Sequence, residues 1–169
     1  MADVFKEQLI KRKTTTTDRL IKFAAVFGVV LIFLFSMLLV PMLAPVITIA
    51  AAFGVYVLTG KLNKEYEYTF TNGELDIDVI YNKSSRKRVF TGEVKDFEIM
   101  AHVDDQNNKN SLTAASERLD YSSGVPSDRS YAFLTNYNSK RVAIVIEPND
   151  DMLDTIARVL TRRKFYPKK

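Results

Sequence analysis

The chain is 169 residues long, 47% apolar and slightly basic, with 24 Lys and Arg against 20 Asp and Glu. These averages hide a division, because no charged side chain occurs from Phe23 to Gly60, about twice the length one membrane span requires. A uniformly soluble single domain is excluded. There is no Cys and His102 is the only histidine, which removes disulfides, thiolate nucleophiles, Fe–S clusters and metal sites built on sulfur or several histidines. The P-loop, dinucleotide-binding, nucleophile-elbow and zincin patterns are also absent. No cofactor, metal, catalytic set or small-molecule substrate is expected, and the chain reads as non-enzymatic.

Residues 1–18 read as a basic cytoplasmic segment. Val4, Phe5, Leu9 and Ile10 precede Lys11-Arg12-Lys13, and two readings stay open: a short interfacial helix on an anionic leaflet, or a frayed tail whose charges set topology. Thr14 to Asp18 carries capping chemistry that predicts a helix start.

Residues 19–62 read as a two-helix transmembrane hairpin. Phe23 to Val40 is long enough to cross most of a hydrocarbon layer, Pro41 and Pro45 mark a tight turn, and Val46 to Gly60 supplies a shorter second span if Pro45 opens the helix and Lys61 snorkels. Lys11, Arg12, Lys13, Arg19 and Lys22 precede the hairpin, Lys61 follows it, and the turn has no basic residue. That asymmetry predicts a two-pass protein of the bacterial cytoplasmic membrane with both termini cytoplasmic. Ala24 with Gly28, and Ala50 with Gly54, have the small-xxx-small spacing that lets helices approach, and are expected to pack the hairpin against itself.

From residue 63 to 169 the apolar period becomes two. Tyr66, Tyr68 and Phe70 share one strand face, Asn72-Gly73 supplies a turn, and Leu75, Ile77, Val79 and Tyr81 return. Strands through Val89-Phe90 and through Phe97 to Val103 complete a predicted four-strand meander, with His102 on its wetter face. A polar Asn-rich loop with a helical turn at Leu112 to Glu117, a short strand at Arg118 to Ser122, and a hairpin of Tyr131–Asn136 with Arg141–Glu147 follow. Asn149 is a natural N-cap for a closing helix with acids in its first turn and an apolar stripe of Met152, Ile156, Val159 and Leu160. The predicted domain is a β-rich α+β fold, an antiparallel split barrel or sandwich of about six or seven strands with a capping helix.

This order resembles the bacterial pleckstrin-homology-like (PH-like) domains of membrane proteins. The opening Met1-Ala2-Asp3-Val4-Phe5 with Glu7-Gln8, the segment Tyr68-Thr69-Phe70-Thr71-Asn72-Gly73-Glu74, and Glu147-Pro148-Asn149-Asp150 are more specifically similar to a small uncharacterised bacterial family known as a domain of unknown function. The resemblance implies the fold and no activity. Lipid-binding PH domains place basic residues at the first hairpin, where this chain has Asn72-Gly73-Glu74.

Two basic clusters remain. Lys83, Arg86, Lys87 and Arg88 sit in the second turn region, and Arg162, Arg163 and Lys164 end the closing helix; each is a candidate contact for anionic lipid. Nucleic acid is not an expected partner, since residues 61–169 hold 18 basic and 17 acidic side chains, a net of +1. Asp76 and Asp78 alternate with Leu75, Ile77 and Val79 as a solvent-facing strand side would. The expected role is a membrane-anchored module whose partners are the bilayer and a protein, another chain or itself; the alternative is recognition of anionic lipid head groups by the two basic clusters.

Overall fold

The computed structural model describes residues 4–161 and 164–168, which divide into two compact units. A helical unit comprises Thr14–Lys64 with Tyr81–Ser85, and a β-rich unit takes the chain up to Lys13, Glu65–Ile80 and the chain from Arg86 on.

In the helical unit, α1 (Thr16–Leu39) and α2 (Ala44–Gly60) lie side by side. Thr15 caps α1 as its sequence predicts: its hydroxyl accepts from Asp18 N at 3.1 Å, and the Asp18 carboxylate accepts from Thr15 N at 2.9 Å. Pro45 opens α2. α1 is long and apolar enough to cross a membrane, spanning ~36 Å at ~1.5 Å per residue, whereas α2 spans ~25 Å. Phe23, Phe35, Leu38, Ile49 and Phe53 are exposed. The hydroxyls of Ser36, Thr48 and Thr59 donate to carbonyls of their own helices, at Phe33, Ala44 and Val55.

The seam between the helices takes in part of the predicted small-residue set. Ala24 and Ala50 are exposed, and a Cβ on Gly28 or Gly54 would meet nothing within 4 Å. Ser36 and Ala44 are buried, and Gly28 and Gly54 are half-buried together with Ala25, Val29, Thr48, Ala51 and Val55. Shifting by one residue turns the helix face by about 100°, so Ala25 and Ala51 face the seam in place of Ala24 and Ala50.

The β-rich unit contains two sheets. The first has the order β1-β2-β3-β4, with β1 (Phe5–Lys11), β2 (Lys64–Thr71), β3 (Glu74–Tyr81) and β4 (Ser85–Glu93). The second has β6 (Glu117–Asp120), β8 (Lys140–Ile146), β7 (Tyr131–Tyr137), β5 (Ile99–His102) and β9 (Phe165–Tyr166), in the order β6-β8-β7-β5-β9. Three hairpins turn through adjacent residues with positive φ, at Asn72-Gly73, Asn82-Lys83 and Asn138-Ser139, the backbone that matches the right-handed twist of the strands. Among the described residues the barrel does not close.

Four expectations are corrected here. Among the described residues of the first 18 there is no separate tail or interfacial helix, because Phe5 to Lys11 pair antiparallel with Thr71 to Glu65. The strand at Ile99–His102 does not extend the meander; it joins the second sheet beside β7, and β1 completes the first sheet. The second sheet is not wholly antiparallel, since β6 pairs parallel with β8 and β9 parallel with β5. The polar loop's helix, α3 (Lys109–Thr113), begins before the predicted turn at Leu112.

Tyr68, Phe70, Leu75 and Ile77 from the first sheet and Met100, Phe133, Ile144 and Ile146 from the second are almost wholly buried. Rings connect the sheets: Phe90 lies 5.4 Å from Phe133, which stacks on Phe97 at 4.1 Å. The closing helix α4 (Asp150–Val159) buries Met152 and Ile156, and Leu160 beyond it is also buried, as the predicted stripe requires. Val159 lies outside that stripe, 40% exposed.

Candidate interaction surface

Strand β1 is the element from which a site can be built. Its odd residues Phe5, Glu7, Leu9 and Lys11 are exposed, and its even residues Lys6, Gln8 and Ile10 are half-buried. Asn72 N donates to Val4 O at 3.0 Å. Hydrogen-bonded pairs recur every second residue along an antiparallel ladder, so Lys6, Gln8 and Ile10 exchange bonds with Phe70, Tyr68 and Tyr66. The N–H and C=O groups of Phe5, Glu7, Leu9 and Lys11 therefore face away from β2, and no strand covers that edge among the described residues.

The half-buried face of β1 fastens the unit's far end. Gln8 Nε2 donates to Glu147 O at 2.8 Å, and Gln8 Oε1 accepts from Asn149 N at 2.6 Å. The Asn149 side chain caps α4 by accepting from Met152 N at 2.8 Å. An acidic residue three places after the cap would normally accept the cap's own N–H; here that residue is Met152, and Gln8 supplies the acceptor from another strand. Lys6 adds an ion pair to Asp151 at 2.6 Å. Beneath, Tyr68 donates its hydroxyl to Tyr121 O at 2.5 Å and accepts from Glu147 N at 3.2 Å, and burial pushes its phenol far above the usual range.

A groove of about 390 Å³ runs beside β1. Its walls include Leu9, Lys11 and Lys13 on one side and Val125, Pro126 and Arg129 on the other. Glu147 also lines it, but that carboxylate is buried and accepts from Ser123 N at 2.7 Å.

The outer face of the first sheet carries a charge network that the alternation pattern did not reveal. Asp78 and Glu67 are buried rather than solvent-facing, because arginines from β4 lie across them. Arg88 pairs with Asp76 at 2.6 Å and Asp78 at 2.5 Å, while Arg86 pairs closely with Glu67 and sits 3.9 Å from Asp78. Burial, then a hydrogen bond with Glu7, raise the Glu67 carboxyl above its usual range despite the attraction of Arg86. Hydrogen bonding with Asp78 raises Arg88. Two of the four basic residues in the first predicted lipid cluster are thus held by three carboxylates. Lys87 is exposed, and Lys83 occupies the exposed positive-φ turn.

Of the second cluster, Arg162 and Arg163 lie outside the described residues, and Lys164 Nζ donates to Lys95 O at 3.0 Å. Of the residues expected to set topology, Lys11 is on β1, Arg12 passes 3.8 Å from where a Cβ on Gly124 would stand, Lys13 N donates to Ser123 O at 2.8 Å, and Lys22 Nζ donates to Asn63 Oδ1 at 3.0 Å. Arg19 is in α1 and Lys61 is the residue after α2.

His102 is buried, not on a wet face. Asp104 N donates to Nδ1 at 3.2 Å, which assigns the ring proton to Nε2 and makes it the donor to Asp128 O, also at 3.2 Å. Both nitrogens are thereby used, and Tyr131 packs edge-on at 5.3 Å. A cavity of about 500 Å³ beside it is lined by Asp104, Asp105, Tyr166 and Lys168. Among the described residues, no three His, Asp or Glu side chains group so as to hold a metal ion.

Comparison with known proteins matches none of the curated proteins and none of the solved structures. A family model described as a bacterial PH-like domain, a domain of unknown function, matches residues 2–166. The match takes in β1, both helices and the two sheets alike, so that the chain belongs, along almost its whole length, to the bacterial PH-like domain family DUF6106.

Proposed function

We propose that this chain is a non-enzymatic module, anchored in the bacterial cytoplasmic membrane by α1 and α2 and presenting its PH-like unit to a protein partner at the cytoplasmic face. The observation that carries the reading is the pairing of β1 with β2 on either side of the helices, Lys11 opposite Glu65. Strands paired in one sheet lie on one side of a bilayer, so a segment between them that crosses does so an even number of times. With α1 long enough to cross, this supports α2 as the returning span, its ~25 Å accommodated by snorkelling of Lys61 and slight thinning of the bilayer. The basic residues Lys11, Arg12, Lys13, Arg19, Lys22 and Lys61 flank the two spans and support cytoplasmic ends.

Protein rather than lipid is favoured as partner by the carboxylates that hold Arg86 and Arg88. The cluster then offers anionic lipid only Lys83 and Lys87, about 2 kcal/mol at ~1 kcal/mol per charge. Single cysteines test the topology in intact cells, since the native chain has none. Met42→Cys in the α1–α2 turn is expected to react with an impermeant maleimide, and Asn72→Cys is expected to be protected. Labelling of Asn72→Cys, or protection of both, would overturn the arrangement.

A further inference from the structure

The structure carries one inference beyond this, which rests on the reading of the chain as an interaction module. We propose that the open edge of β1 and the groove beside it bind an extended acidic peptide segment of a partner protein, added to the first sheet as a fifth strand. Three observations combine. The outward N–H and C=O groups of Phe5, Glu7, Leu9 and Lys11 have no partner among the described residues, which is the template a strand requires. Phe5 and Leu9 are 57% and 55% exposed on that same edge strand, whereas the opposite edge, β4, is guarded by Arg86, Lys87 and Arg88. The groove then selects charge: Lys11 and Lys13 have no ion-pair partner among the described residues, Arg129 reaches only the exposed Asp150 at 3.9 Å, and Glu147 is internally satisfied.

Charge also argues against a second copy as the occupant. Residues 4–13 carry Lys6, Lys11, Arg12 and Lys13 against Glu7, a net of +3, so two β1 strands side by side repel. An acidic strand meets the opposite sign, and its alternate apolar side chains meet Leu9, Val125 and Pro126.

The test uses the full chain in nanodiscs of zwitterionic lipid and a labelled ten-residue peptide of alternating glutamate and valine, read by fluorescence anisotropy. Binding is expected, and it is expected to weaken roughly tenfold or more in K11E/K13E/R129E, whose side chains are exposed ion-pair formers. A peptide N-methylated at alternate amides is expected not to bind, and this arm leaves the protein unaltered. Equal binding of a lysine–valine peptide, indifference to N-methylation, or a dimer of the chain that Leu9→Asp dissociates would overturn the proposal. A photo-crosslinker placed at Leu9, Lys87 or Val159 in native membranes separates the two levels. Adducts to another protein at Lys87 or Val159 but not Leu9 would overturn the groove and leave the interaction module standing; no adduct at any of the three would overturn both.

Discussion

Gln8 is the side chain through which β1 holds the end of the β-rich unit, and its removal gives a sharp measure of that attachment. Gln8→Ala deletes the donor to Glu147 O at 2.8 Å and the acceptor for Asn149 N at 2.6 Å. Both groups are part-buried backbone, so each lost bond costs about 1 kcal/mol, with some further penalty where water does not replace it. The total is about 2 to 3 kcal/mol. For a unit of about a hundred residues that lowers Tm by roughly 10 °C. Near-UV dichroism of the full chain in detergent follows Tyr68 and its neighbours through the transition, and amide exchange of Asn149 to Leu153 reports the start of α4 directly. Exchange there is expected to accelerate more than exchange in β7, because Asn149 N loses its acceptor while the β7–β8 ladder keeps all of its own. A Tm within about 2 °C of the native chain, with unchanged exchange at Asn149, would refute the assignment of β1 as part of the folded unit.

Three further outcomes follow from the same geometry. Tyr68→Phe removes the hydroxyl that donates to Tyr121 O and accepts from Glu147 N, and is expected to cost about 2 kcal/mol in denaturant unfolding; an unchanged midpoint would show that the buried hydroxyl holds nothing. Because the folded Glu67 carboxyl titrates above its ordinary value, its contribution favours the fold below the unfolded value and is lost as pH rises through the folded one. Glu67→Gln is therefore expected to flatten the fall in stability on the alkaline side of the ordinary glutamate range, and a slope identical to the native chain's would contradict the assignment. Joining Arg12 to Lys64 through Asn-Gly, in place of the helices, is expected to yield a soluble β unit with native tyrosine dichroism, whereas residues 61–169 alone, lacking β1, are expected to unfold at lower temperature.

Much of this fold could be read locally. Asn72-Gly73 announces its hairpin because adjacent positive-φ positions suit those two residues best, and Asn149 announces α4 because a helix start needs a side-chain acceptor. The uncharged run from Phe23 to Gly60 predicts apolar helices for the same local reason. What failed depends on partners distant in sequence. Phe5 to Lys11 alternates Phe, Lys, Glu, Gln and Leu without a clean apolar face, and its strand partner begins only at Glu65. His102 reads as wet from its alternation, yet Asp128 O and Tyr131 enclose it. The buried carboxylates had a signal that alternation alone does not use: Asp76-x-Asp78 and Arg86-x-Arg88 stand on opposite arms of one hairpin, spaced so that each arginine meets a carboxylate across the strands.

The position of β1 ahead of the helices imposes an order on folding. Every contact that fixes it lies later in the chain: Thr71 to Glu65 in β2, then Glu147, Asn149 and Asp151. The strand cannot pair until β2 has been synthesised, and its last contacts wait for Asp151, because loop closure precedes the contacts that reward it. Until then Phe5 and Leu9 belong to an unpaired basic segment immediately before an apolar helix, a composition suited to resting on an anionic leaflet. β1 closes the first sheet only once β2 has emerged beyond α2, and it leaves its far edge open for the proposed strand.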